Sequence, residues 1–387
     1  MGYKELNAYA APYKSELLNN IIPFWMNHSR DMVSGGYFTC LNRRGEVFDT
    51  DKFMWLQGRE VWLFSMIYNR IEKKQEWLDM ALHGANFMKK FGMDALGNWY
   101  FSLNQEGRPL VHPYNIFSDC FAAMAFSELY KATGNQEYKQ IALNTFNNIL
   151  ERQENPKGLY SKAYPGTRSL KNFSLPMILC NLSLIMEDIL GTEYAGRTIR
   201  PLIKEVMEVF YDKDSGLILE NVTLEGKFND SFEGRLLNPG HTNESMWFMM
   251  DLAVRNNDHA LIDKCIDVLL RSTDNGWDKK HGGIFYFLDI KGYPLQQLEW
   301  DQKLWWVHIE TLISMAKGYR LTGNEACKNW FETIHEYTWK HFKDPEYPEW
   351  FGYLNREGTP LLELKGGKWK GCFHIPRGLF EIWKILE

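Results

Sequence analysis

The chain repeats itself six times, and that repeat limits its fold more than any other feature. Six segments share a glycine, an aromatic or apolar strand, a polar turn and a second strand. They are GGYFTCLNRRGEVFDT from residue 35, GNWYFSLNQEGRPLV from 97, GLYSKAYPGTR from 158, GLILENVTLEGKFND from 216, GGIFYFLDIKGYPLQ from 282 and FGYLNREGTPLLEL from 351. With Gly36, Gly97, Gly158, Gly216, Gly283 and Gly352 as markers, the intervals are 61, 61, 58, 67 and 69 residues. Five turns carry Asn or Asp, or a following Gly, as a hairpin requires. Between hairpins lie two helical stretches. The first is apolar all round, as in MWLQGREVWLFSMIYNR, and belongs inside a ring. The second is apolar on one face, as in EYKQIALNTFNNILERQ, and belongs outside. An outer helix at about 4–27 and a last inner helix at about 374–386 complete the count. The expectation is an (α/α)6 barrel of six inner and six outer helices, with short β-hairpins at one end.

Composition agrees with that reading and narrows the function. A length of 387 residues would by itself suggest more than one domain, but no linker or composition break interrupts the repeat, so one domain over 1–387 is expected. Hydrophobic residues at 45% supply a large core. The 44 basic and 49 acidic residues leave a net charge of −5 with no basic run, which argues against nucleic acid. No apolar run is long enough to span a membrane, and the start does not read as a signal peptide. Leu6 stands where a myristoylation motif needs Ser or Thr. Cys40, Cys120, Cys180, Cys265, Cys327 and Cys372 form no CxxC pair, so reduced thiols and a cytoplasmic location are expected. The 15 Trp and 19 Tyr suit a sugar site, where ring faces meet C–H faces.

A site should gather where the hairpins lead into the inner helices. Arg59, Asp119, His241, His308 and His374 lie 23, 22, 25, 25 and 22 residues beyond their markers. As a set at matched phase in apolar helices, they read as functional. Asn238-Pro239-Gly240-His241 reads as a helix start, with Asn as cap and Pro in the first turn. There the helix dipole disfavours imidazolium, so His241 is expected to be neutral, with Glu244 three residues on to hold its ring. His374 precedes Pro376 at another helix start. Two histidines facing one cavity suit a two-base reaction. Arg59, in Trp55-x-x-x-Arg59-x-x-Trp62, needs an anionic or dipolar partner if buried.

The segments DKFMWLQGREVWLFS, PYNIFSDCFAAMAF, EGRLLNPGHTNESMWFMMD, LEWDQKLWWVHIE and LKGGKWKGCFHIPR resemble the N-acylglucosamine 2-epimerase family, which includes the mammalian renin-binding proteins. The resemblance runs through essentially the whole chain. It implies interconversion of N-acetylglucosamine and N-acetylmannosamine, ATP as a non-hydrolysed activator, and a homodimer. It places the catalytic histidines on His241 and His374, the supporting arginine on Arg59 and the carboxylates on Glu244 and Glu310. Tyr114, Asp119, Arg235 and Trp305 are the expected substrate contacts. Relatives acting on unmodified sugars carry a further histidine in the third unit, and residues 158–190 contain none.

Other signals carry less. The Lys365–Gly371 run lacks the GxxxxGK[ST] order of a phosphate loop. Lys157 and Gly158, with Lys368, are the nucleotide contacts the resemblance suggests, though Glu151 and Glu154 make that loop less basic. The His241/Glu244 and His308/Glu310 pairs do not match HExxH, and no metal is expected. Three alternatives remain open. They are a two-carboxylate glycosidase, an isomerase or epimerase of unmodified sugars, and a non-catalytic renin-binding module.

Overall fold

How much of its circumference a helix must bury decides which ring it joins. The computed structural model describes residues 5–162, 164, 166, 167 and 169–387. Among these, α1 runs through Ala10–Glu16, a π-helical turn at Leu17–Ile21 and Ile22–His28. It is followed by α2 (Met54–Arg70), α3 (Gln75–Phe91), α4 (Phe117–Thr133), α5 (Gln136–Arg152) and α6 (Ser174–Ile185). The second half holds α7 (Thr192–Lys204), α8 (Pro239–Asn256), α9 (His259–Gly276), α10 (Trp305–Thr322), α11 (Glu325–His341) and α12 (His374–Leu386). Even-numbered helices form the inner ring. In α10 every residue from Trp305 to Tyr319 is buried, whereas α11 buries only Cys327, Phe331, Ile334, Tyr337 and Thr338. That three-to-four spacing marks a helix with one face inward. The chain is an (α/α)6 barrel, and its main core cluster extends from Leu6 to Leu386.

Short strands tie neighbouring units together at one end. Lys52–Phe53, leading into α2, pairs with Ser102–Leu103 of the next unit. Leu236–Leu237 pairs likewise with Leu288–Asp289, and Lys303–Leu304 with Tyr353–Leu354. The ring closes where Leu41 exchanges backbone hydrogen bonds with Lys365 and Gly366. The third unit departs from the expected hairpin. Gly158–Tyr160 is a 3-10 turn, and Leu170–Asn172 pairs with Asn221–Thr223 of the fourth unit. Residues 163, 165 and 168 of that segment lie outside the described residues, as does residue 4, where the first helix was expected to begin.

The polar residues at matched phase turn out to be of two kinds. In three units a side chain of the inner helix anchors a backbone N–H at the marker turn. Gln57 accepts from the Tyr37 N–H at 2.8 Å, Asp119 from Trp99 at 3.4 Å and His308 from Ile284 at 2.9 Å. These three side chains do one scaffold job in units one, two and five. In the sixth unit the corresponding left-handed residue is Glu349 (φ 63°) rather than the expected Gly352. The isolated bridges Arg30–Tyr37, Trp277–Ile284 and Lys343–Trp350 fix that correspondence. Glu349 anchors the Trp350 N–H with its own carboxylate, at 2.9 Å. The same carboxylate accepts from Lys370 and from the Trp25 indole.

Candidate active site

α8 begins as the sequence indicates. The Asn238 side chain caps the helix by accepting from the His241 N–H at 3.1 Å, with Pro239 in the first turn. This puts the His241 ring at the barrel mouth with its side chain 25% exposed. Its Nδ1 lies 3.0 and 3.1 Å from the two carboxylate oxygens of Glu220. Glu244, the residue expected to hold this ring, points instead to Arg377. Glu220 comes from the fourth hairpin segment, just before the strand Asn221–Thr223 that pairs with the third unit. It lies 21 residues before His241, where no helical spacing signals it. The His241 pKa also shifts against the direction expected from the helix start. Burial alone would lower its pKa, but the charge and hydrogen bond of Glu220, with Glu244 behind, raise it above the ordinary value.

His374 opens α12 and is buried. Its Nδ1 lies 2.7 Å from Glu310 Oε1, and the other Glu310 oxygen accepts from the Trp247 indole at 2.9 Å. Burial, followed by the nearby Arg59 charge, holds the His374 pKa well below the ordinary value. The two rings are therefore shifted in opposite directions. Trp306 lies between them, with centroids 5.3 Å from His241 and 5.8 Å from His374. Among the described residues, neither ring uses Nε2 in a hydrogen bond within the chain.

Arg377, which the sequence reading missed, organises the floor of the site. Its Nη2 donates to both Glu244 and Glu310 and lies 3.4 Å from His374 Nδ1. Its signal was available, since it lies one turn beyond His374 on α12 and Arg is not buried without anions. The donor atoms of Glu244, Glu310 and His374 lie within 4.8 Å of one another, a spacing a metal could use. Arg377 already supplies the positive charge such a cluster needs. Arg59 has no carboxylate bonded to it. It is clasped by the rings of Phe121, Trp55 and Phe373 at 4.1, 4.5 and 4.6 Å, and its Nε has no partner. Burial, and then the Arg377 charge, lower its pKa to about 9, so it remains a cation at neutral pH.

The remaining expected residues divide. Trp305 packs against Tyr353 and His374, with its indole N–H unpartnered. Tyr114 sits at the rim against Phe101, beside which Lys368 lies over the Phe101 and Trp369 rings. Asp119 is fully buried against Arg152 at 3.0 Å, and burial raises its pKa to about 7. Arg235 braces the fourth hairpin, donating to Asp289 and Asp230. Those two are engaged in ion pairs, which accounts for their burial without a substrate. Lys157 and Gly158 lie exposed at the third-unit 3-10 turn. Lys365 and Lys370 are bonded to Asp344 and Glu349. All six cysteines are free and buried. No helix among the described residues is long and apolar enough to cross a membrane.

The chain is similar to known proteins. The family model for N-acylglucosamine 2-epimerase matches residues 36–376. The chain is 41% identical to the N-acylglucosamine 2-epimerase of Rattus norvegicus, over 95% of this chain and 90% of that protein. It is 25% identical to the cellobiose 2-epimerase of Bacteroides fragilis, over 95% of this chain and 97% of that protein. In fold it is similar to the structure of a cellobiose 2-epimerase from Bacillus thermoamylovorans, with a TM-score of 0.85, 22% identity and coverage of 98% and 99%.

Proposed function

Since the chain belongs to the N-acylglucosamine 2-epimerase family and is therefore an isomerase, we propose that it interconverts N-acetyl-D-glucosamine and N-acetyl-D-mannosamine by moving the proton at C2. The observation that carries this reading is the pair of histidines. Each has Nδ1 held by a carboxylate and Nε2 unspent, and the two flank one indole. A C2–H becomes acidic only when the sugar is open and C1 is an aldehyde. One Nε2 takes that proton, the electrons of the broken bond move into an enolate, and the Arg59 guanidinium faces the oxygen that gains charge. The other imidazole, protonated, delivers a proton to the opposite face and C1 becomes an aldehyde again. The opposed pKa directions suit this division, because they separate the proton affinities of the two rings.

The acylated substrate is supported by 41% identity to an N-acylglucosamine 2-epimerase against 25% to a cellobiose 2-epimerase. A glycosidase would need one site carboxyl free to donate a proton. Here Glu220, Glu244 and Glu310 each accept from a histidine or from Arg377. ATP, an activator in the family reading, takes no part in these steps, and adding it to the same assay measures its effect. A homodimer and a cytoplasmic location complete the proposal.

The test is hydrogen exchange at C2, followed by NMR in D2O with either N-acetylhexosamine. The expected result is deuterium at C2 and formation of the other epimer. His241→Ala and His374→Ala should each abolish epimerisation while leaving exchange on one epimer only. Absence of exchange on either sugar by the unaltered protein would overturn the reading.

A further inference from the structure

Glu220 stands apart from the other carboxylates of the site because nearly everything it does is directed at one imidazole. Its side chain is 9% exposed and lies across the His241 Nδ1, with a second, long contact to the Asn172 amide at 3.5 Å. Its backbone is pinned on both sides, with its N–H donating to the Leu236 carbonyl and its C=O accepting from Phe173. The residue therefore cannot swing away without breaking the junction between the third and fourth units. Asn238, which caps α8, lies 3.2 Å from the same ring nitrogen. The Asn238 group there is the amide NH2, a donor whose oxygen is spent on the helix cap. The carboxylate can only accept and lies closer, at 3.0 and 3.1 Å, so the proton belongs on Nδ1, donated to Glu220.

We propose that Glu220 is a positioning residue for the epimerisation: it fixes the Nδ1–H tautomer of His241 and so turns Nε2 to the sugar as the nitrogen that exchanges the C2 proton. The proposal rests on the two-histidine reading above. Its balance is simple. Nε2–H gives its proton to C2, the enolate electrons form the new C–H bond, and Nδ1–H stays on Glu220 throughout. In the reverse direction Nε2 takes the proton back. The groups facing this ring are Glu220 from the fourth hairpin segment, Glu244 on α8, His374 on α12 and the Trp306 face on α10. Arg377 holds Glu244 and Tyr286 borders Glu220. Glu220 is thus the one carboxylate bonded to the ring, and it sets the ring's basicity more than any other charge.

The experiment compares Glu220→Gln and Glu220→Asp with the unaltered full-length protein. Glutamine keeps the size and loses the charge, so kcat should fall about 10- to 100-fold while KM changes less than about threefold. The limb of the pH–rate profile set by His241 should move to lower pH, since the partner that raises its pKa is gone. C2 exchange should fall on one epimer and persist on the other, and aspartate should restore part of the rate. An unmoved limb, or equal loss on both epimers, would overturn the proposal. In the unaltered protein, at a pH high enough to leave the His241 ring neutral, long-range 1H–15N spectra should show the Nδ1–H tautomer, and an Nε2–H tautomer there would overturn the proposal without any variant. Failure of the epimerase reading itself looks different, because the unaltered protein would then exchange no C2 proton at all.

Discussion

The fifth and sixth units each put a histidine near the start of an inner helix, and the two rings end in opposite situations. His308 spends both nitrogens on backbone. Nε2 accepts from the Ile284 N–H and Nδ1 donates to the Leu304 carbonyl at 2.7 Å. It is sealed between Tyr337 and Phe342, and burial lowers its pKa to about 3. His374 spends only Nδ1, on a carboxylate, and keeps Nε2. The difference lies in what anchors the marker turn. In the fifth unit the turn residue is Gly283, which has no side chain, so the helix must lend one. In the sixth, Glu349 anchors Trp350 itself, and the helix histidine is released for other work. Phase along the repeat therefore finds the position, and the count of committed ring nitrogens separates scaffold from candidate base.

The largest effect should come from making the same substitution at both rings. His374→Gln removes the base and should lower kcat by about 10²- to 10⁴-fold with the fold intact. His308→Gln puts in the residue that unit one already uses at Gln57, and should keep activity within a few-fold. Steady-state rates on the N-acetylhexosamines, with circular dichroism as a check of folding, decide it. If both variants lost activity equally, the distinction drawn from ring nitrogens would fail.

Glu349 offers a smaller, sharper test. A non-glycine residue at φ 63° costs about 1 kcal/mol, so Glu349→Gly relaxes the backbone to the form found at Gly36 and Gly283. The same change leaves Lys370, 1% exposed, without its carboxylate, which costs about 3–5 kcal/mol. Net destabilisation of roughly 2–4 kcal/mol is expected from urea unfolding. A variant more stable than the parent would mean that the strain was merely tolerated and that Glu349 does not replace the missing helix anchor.

The ring of helices was legible because burial on all sides leaves an unmistakable trace. Runs such as SMWFMMDLAVRNN have no polar face to offer solvent. The helix start at Asn238-Pro239 was legible for the same local reason. What could not be read were the partners. Glu220 reaches His241 across a strand junction, and Glu310 reaches His374 from 64 residues away. Such contacts follow from closure of the barrel, not from spacing. Matched phase also picks out Asp119 and His308, whose side chains make scaffold contacts, because a repeated fold repeats those contacts as faithfully as its site. The third hairpin misled in turn, since its glycine opens a 3-10 turn while the strand pairs forward into the next unit.

The smallest effect concerns acid. A histidine free in the unfolded chain takes up a proton near pH 6.5, whereas His308 in the folded protein does so only near pH 3. The unfolded state therefore binds more protons between these values. The contribution of His308 to stability is complete above about pH 6.5 and is lost as pH falls toward 3. His308→Gln removes that proton, so its stability should depend less steeply on pH across this window, by at most about 1.4 kcal/mol per pH unit. Gln57→His should do the reverse and add acid sensitivity in unit one, because the new ring would sit against the buried Tyr37 backbone. Urea midpoints at several pH values between 4 and 7 measure both slopes. Parallel curves for His308→Gln and the parent would show that the His308 ring already binds a proton when folded. That would remove the sealed, fully committed imidazole from the fifth unit, and with it the contrast to His374.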